Sequence, residues 1–283
     1  MLKVTDIRNL NEVYDYQGHL SVPYFFSASF ADWKESFEND TDGEGRPLFR
    51  ALYGKAAYDG DTLVGFVQYG QTAFGFDSGG EISEAVNYPV IRSLYFDENR
   101  EDAGHLLLRT ALKEFEAEEK VYAFFHYFGM SCFARHGKLF EHFDWIRALL
   151  HEYGFVIEHE NVYYSAVWHH SAGSEVEIIV HGLTKGNHET VDFILNQRQI
   201  GGCEVHYPDA KGSAYLRWIY INGDLQNQGM GSRCMNALKA WLQDRGITRL
   251  DTDTALDNHR AQHYYEKNSF IRKGITRSFF LTK

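Results

Sequence analysis

From Leu216 to Ile221 the side chains alternate, Leu216, Trp218 and Tyr220 interleaving with Arg217, Ile219 and Ile221, and this period of two predicts a strand. Further on, Met235, Leu238, Trp241 and Leu242 recur at helical spacing. Between them lies Ile221 to Ser232, INGDLQNQGMGS, so this loop joins a strand to a helix N-terminus. A second strand is expected over Arg249 to Thr254, and Asp257, Asn258 and His259 open a helix carrying Ala261, Tyr264, Tyr265 and Phe270.

Upstream, the aromatics Tyr24, Phe25, Phe26, Phe30, Trp33 and Phe37 read mostly as a core-facing helix, and Asn39 to Arg46 as a polar loop. Ala56 to Tyr69 reads as a hairpin turning at Asp59-Gly60. Val90 to Phe96 followed by Ala103 to Phe115 then repeats the strand, loop and helix seen around Ile221, which points to two copies of one unit. A strand at Asn161 to Val167 closes the first copy, and the polar stretch Trp168 to Ser174 is the expected boundary. The expected domains are therefore 1–168 and 175–283. The second copy proceeds through Val176 to Val180, Val191 to Leu195 and Gly202 to Tyr207 to reach its loop within a short span.

Composition narrows the picture. A chain of 283 residues, 44% apolar and 16% aromatic, can bury sizeable cores. A formal charge of −11 argues against nucleic acid as a partner and leaves room for cationic ones. Cys132, Cys203 and Cys234 are odd in number and widely spaced, which speaks against a disulfide framework. With no signal-peptide pattern and no apolar run of membrane-spanning length, the expectation is a cytoplasmic protein without a membrane partner.

The loop carries anion-binding chemistry. Gly229 and Gly231 let backbone N–H groups come close to a ligand, and the first helical turn adds unpaired donors at the positive end of the dipole. Gln226, Asn227 and Gln228 supply neutral donors, while the missing Gly-Lys-Ser/Thr disfavours a nucleoside-triphosphate loop. Alone, the two glycines equally describe an ordinary strand-to-helix turn. The order Gln226-x-x-Gly229-x-Gly231, then Asn258-x-x-Ala261-x-x-x-Tyr265-Glu266-Lys267-x-x-Phe270, resembles the GCN5-related N-acetyltransferase (GNAT) family over roughly the last hundred residues.

That resemblance implies a mixed α/β (α+β) fold class: two tandem acyl-CoA N-acyltransferase folds, each a mixed, mostly antiparallel sheet flanked by helices, an arrangement similar to that of mycothiol synthase in architecture only. It implies acetyl-coenzyme A as cosubstrate, held by Ile221, Gln226, Asn227, Gln228, Gly229, Met230, Gly231, Ser232 and Asn258, and Tyr265 as the acid that protonates the departing sulfur. In the first copy Arg100 stands for Gln226, Ala103 and His105 for the two glycines, and Leu150 for Tyr265, so its coenzyme site is expected to be degenerate, with a structurally held coenzyme or a share in the acceptor site left open. For the base, the place of the family's glutamate is Tyr215; Glu204 and His206 on one strand, and Asp251 and Asp253 on another, remain open, with a solvated or structural role as the alternative for each.

No metal is expected. His259-x-x-x-His263 has helical ligand spacing but no third ligand, and Cys234 reads as a buried structural residue. The expected function is transfer of an acetyl group to a primary amine of a small molecule by direct attack in a ternary complex. A non-catalytic acyl-CoA sensor and a protein N-terminal or lysine acetyltransferase stay as alternatives, and the sequence leaves acceptor and oligomeric state undetermined.

Overall fold

The computed structural model describes residues 1–42, 44–170, 173–183, 187–208 and 212–283. Gly43 of the polar loop and Ser171 and Ala172 of the expected boundary lie outside these. The chain divides into two compact units: residues 1–41, 46–160 and 276–283, and residues 42–45 and 161–275.

The first unit runs β1 (Leu2–Asp6), α1 (Leu10–His19), α2 (Phe30–Glu38), β2 (Phe49–Asp59), β3 (Thr62–Thr72), β4 (Pro89–Phe96), α3 (Glu101–Glu114), β5 (Lys120–Ala123), α4 (Asp144–Glu152) and the start of β6 (Val156–Val167). Its sheet is antiparallel from β1 to β4, parallel where Val90 and Ile91 meet Tyr122 and Ala123 of β5, and antiparallel again from β5 to residues 279–282. The hairpin turns at Gly60, whose φ of +63° suits a residue without a Cβ. Helix α2 takes only the second half of the aromatic cluster, burying Trp33 and Phe37; Tyr24, Phe25 and Phe26 lie in irregular chain before Ser29, which caps the helix by accepting from the Asp32 N–H.

The second unit runs β7 (Glu177–Leu183), β8 (His188–Leu195), β9 (Arg198–His206), β10 (Ser213–Ile221), α5 (Met230–Gln243), β11 (Arg249–Ala255), α6 (His259–Lys267) and the start of β12 (Ile271–Thr282). Its strands pair antiparallel from β7 to β10, parallel from β10 to β11, and antiparallel from β11 to Asn161–Val167 of β6. The same single parallel step therefore recurs in each unit. Its core packs Val205, Leu216, Leu250 and Tyr164 of the sheet with Cys234, Met235, Leu238 and Leu242 of α5 and Tyr265 of α6. Cys203 and Cys234 are buried there, and their thiols are pushed up by burial, Cys234 to about 12, which keeps them protonated and inert.

Neither unit is a continuous segment. The strand after α4 belongs with the second unit from Asn161 onward, and the strand after α6 belongs with the first from Thr276 onward. Trp168, where the expected boundary begins, thus lies inside the second unit: it packs in that unit's core and its N–H donates to the Thr248 carbonyl. Hydrophobic alternation finds the Asn161 to Val167 part of β6 but does not say which strand it pairs with, and the sequence reading placed no strand over β12.

Candidate functional site: a glycine turn beside a splayed strand pair

The parallel pairing of β10 with β11 lasts only from Ser213↔Arg249 to Leu216↔Thr252. There β10 bulges: Val205 faces Leu216 and Glu204 faces Trp218, leaving Arg217 as the extra residue. Beyond this point β10 has no ladder partner on its β11 side. The Thr252 hydroxyl marks the end of the ladder by donating to the Leu216 carbonyl at 2.9 Å. Pairing stops, and the two strands leave a gap between them.

The groove at the end of that gap has a volume of about 530 Å³ and lies wholly within the second unit. Ile219 and Ile221 of β10 line one side, Asn227, Gly229, Gly231 and Ser232 another, and Asn258, Arg260, Tyr264 and Tyr265 a third. Gly229 is the N-cap of α5 with φ +78°, and a Cβ there would meet nothing, so its need is conformational. Gly231 has a different reason: a Cβ would lie 2.9 Å from the Tyr264 ring. Among the described residues the N–H groups of Gln228, Gly229, Met230 and Gly231 donate to no protein acceptor, whereas those of Ser232 and Arg233 close onto the Gly229 carbonyl. Four unpaired donors at a helix start form an anion cradle.

The side-chain amides of both glutamines hold the loop. The Gln226 amide donates to the Ile221 carbonyl at 2.7 Å while its oxygen accepts from Arg260 at 2.5 Å, and Gln228 donates to the Asp224 carbonyl at 2.8 Å. Gln226 lines the groove while making these contacts, and Gln228 lies outside the groove lining. Asn258 is the N-cap of α6, accepting from the Ala261 N–H at 3.1 Å, and it lines the groove as well. Arg260, His263 and Lys267 also line it; helical phase places them there, but no motif marks them in the sequence.

Tyr265 is 5% exposed, and burial raises its phenol above the ordinary value, the Thr252 hydroxyl pulling the other way and the Asp253 charge adding to the rise. It stays protonated at neutral pH. Leu216, Thr252 and Tyr265 share the sheet face covered by α5 and α6, whereas His206, Tyr215 and Asp251 lie in register on the opposite face. The four carboxylate and imidazole candidates gather on that opposite face, each already engaged. Asp251 is fully buried and takes Arg249 and Tyr163; Asp253 accepts from Tyr215 at 2.7 Å and from Asn161 at 2.8 Å. His206 contacts Glu204 at 2.6 Å, and Trp218 donates to the other Glu204 oxygen at 3.1 Å. Burial raises Glu204, but the His206 hydrogen bond and the Arg217 charge outweigh it and bring the carboxyl to about 2; burial lowers His206 to about 4. At neutral pH the pair is a carboxylate and a neutral imidazole, and Glu204 is too weak a base for an ammonium. His259 and His263 join no convergent ligand group among the described residues.

The first unit repeats the scaffold and alters the cradle. Phe155 N–H donates to the Leu150 carbonyl as Phe270 N–H does to Tyr265, and Gly154 and Ser269 both take positive φ, so Leu150 stands where the phenol stands in the second unit. At α3 the Ala103 N–H is taken by Arg100 and Asp102, and a Cβ on Gly104 would strike the Phe96 ring at 2.5 Å. Glu101 and Asp102 add negative charge at that helix start.

Residues 149–270 match the model of the acetyltransferase (GNAT) family. The match covers less than half of the chain. Over the whole chain the likeness to solved tandem GNAT structures is one of fold. Among solved structures, a tandem GNAT protein from the clavulanic acid biosynthesis pathway aligns over 100% of this chain and 98% of its own at TM-score 0.65 and 10% identity. A GCN5-related glucosamine N-acetyltransferase region of a fungal multi-domain GH3 β-N-acetylglucosaminidase also aligns at 0.65 and 10% identity, covering 99% of this chain, which spans 38% of that larger one. A GCN5-related N-acetyltransferase from Sphaerobacter thermophilus aligns at 0.59 with 8% identity over 99% and 95% of the two chains. At these identities the likeness is one of fold. No curated protein matches the sequence. No helix among the described residues is long and apolar enough to cross a membrane.

Proposed function

We propose that the second unit transfers an acetyl group from acetyl-coenzyme A to a primary amine of a small molecule, by direct attack within a ternary complex. The observation that carries this reading is the coincidence, in one groove, of the unpaired N–H groups of Gly229 and Gly231 at the start of α5, the end of the β10–β11 ladder and Tyr265. Bound there, acetyl-coenzyme A supplies an activated thioester. The cradle fits a pyrophosphate: its donors are backbone groups at a helix N-terminus, and Arg260 and Lys267 beside it are cations in a chain of net negative charge.

Ile221 and Ile219 flank the arm that leads from the cradle to the gap, and unpaired β10 backbone beyond Leu216 offers donors toward a thioester carbonyl. Tyr265, on the α5–α6 face, protonates the leaving sulfur; its raised pKa keeps the proton in place until the thiolate, with an ordinary value near 8.5, develops. The amine approaches from the other face. Of the carboxylates there, Asp253 sits one residue past the last β11 position paired with β10 and its charge is felt at Tyr265, so it is the group we assign to orient the amine and accept its proton. Glu204 and His206 satisfy one another and serve no such step in this reading.

The test follows free thiol on incubation of the full chain with acetyl-coenzyme A and a panel of small amines and peptides. The reading expects release with small amines that falls roughly 10²-fold in Tyr265→Phe with coenzyme binding kept. Equal slow release by both proteins alongside tight binding supports an acyl-CoA-binding module instead, and peptides as the sole acceptors support a protein acetyltransferase.

A further inference from the structure

His188 at the start of β8 lies directly opposite His206 on β9, and Glu204 is two residues along from His206 on the same face. The imidazoles stack with centroids 4.7 Å apart at 27°. One carboxylate oxygen, Glu204 Oε1, is the meeting point: His206 Nε2 is 2.6 Å from it and His188 Nδ1 is 3.6 Å. All three ligand atoms fall within 4.8 Å of one another, and the three side chains are only 20%, 16% and 4% exposed for His188, Glu204 and His206.

We propose that His188, Glu204 and His206 form a site for one divalent transition cation of zinc type, independent of the coenzyme groove. Two imidazole nitrogens and one carboxylate oxygen are a donor set suited to such an ion, and three protein ligands leave a fourth position for water or another group. Bonds of about 2.0–2.2 Å in tetrahedral geometry set ligand atoms about 3.3–3.6 Å apart, so the His206–Glu204 contact opens by roughly 0.7–1.0 Å while the His188–Glu204 separation is already near that range. The hydrogen between Nε2 and the carboxylate moves to the other ring nitrogen, so the imidazole stays neutral as a ligand requires. Trp218, donating to the remaining carboxylate oxygen, orients Glu204 from outside the site.

One group opposes the ion. Arg217 Nε is 3.8 Å from the same Glu204 oxygen, on a side chain 37% exposed. A guanidinium on so open a stem can turn to solvent when a cation takes its place, and its charge weakens binding while it remains. That opposition supplies a test with a sign: removing Arg217 strengthens a cation site and would loosen a simple hydrogen-bonded cluster.

The experiment uses the full chain stripped with chelator, without coenzyme, titrated with zinc by calorimetry and with cobalt(II) by visible absorption. One equivalent of zinc is expected, with a rise in Tm and an intense cobalt band characteristic of low coordination number. His188→Gln and Glu204→Gln, each checked by its metal-free melting curve, are expected to weaken zinc at least tenfold, Arg217→Ala to tighten it, and the double substitution His259→Gln, His263→Gln to leave it unchanged. Absence of saturable binding, binding untouched by His188→Gln and Glu204→Gln, weaker binding in Arg217→Ala, or loss in the α6 double variant each overturns the proposal.

Discussion

The Tyr264 ring occupies the space that a side chain on Gly231 would need: a Cβ there would lie 2.9 Å from Cε2, while the Tyr264 hydroxyl donates to the Gly231 carbonyl at 3.0 Å. The second glycine of the turn is thus a packing residue that lets α5 and α6 approach. Gly231→Ala is expected to destabilise the protein by about 1–3 kcal/mol through overpacking. Combining it with Tyr264→Leu should recover part of the loss, as read by denaturant unfolding; an additive double variant would contradict the contact.

Tyr265 titrates high because burial disfavours its phenolate. An acid with a raised pKa keeps its proton to higher pH, so the saturated rate should hold level up to about pH 10, the ordinary phenol value, and fall only above it. The profile of kcat against pH for wild type checks this. A limb below pH 10 that disappears in Tyr265→Phe would contradict the raised value.

Asn258 joins helix stability to the site, since its side chain caps α6 and lines the groove. Asn258→Ala should cost about 1 kcal/mol from the lost cap, and Asn258→Asp should restore stability while weakening coenzyme binding by adding charge near an anion. Unfolding curves and coenzyme titrations separate the two effects.

Because Asn161–Val167 completes the sheet of the second unit, a fragment of residues 175–283 lacks the partner of β11 and is expected to show no cooperative melt. A fragment beginning at residue 156 and ending at 275 should melt cooperatively. Equal behaviour of the two fragments would show that the strand contributes little to the unit.

The second-unit motifs were legible because they are local. Alternation gave Arg249 to Thr254 against an observed Arg249–Ala255, and the helix motif placed Asn258 at a cap and Phe270 just past the last turn. What depends on pairing between distant segments was not legible. That part of β6 and part of β12 each belong to a unit other than the one they follow is a matter of partner choice, to which an alternating pattern is blind. The meeting of His188 with His206 needs the β8–β9 register, and the engagement of Gln226 with Arg260 needs the packing of α6 beside the loop. Helical spacing drew attention to His259 and His263, although His188 and His206, which converge on Glu204, lie on strands.

The central claim is that the Gly229 turn holds coenzyme A, and titration calorimetry of acetyl-coenzyme A into wild type and Gly229→Glu addresses it directly. Glutamate would strain a backbone at φ +78° and set bulk and negative charge on the unpaired N–H groups. The account predicts saturable binding by wild type and none by a folded Gly229→Glu protein; equal affinity in the two would contradict it.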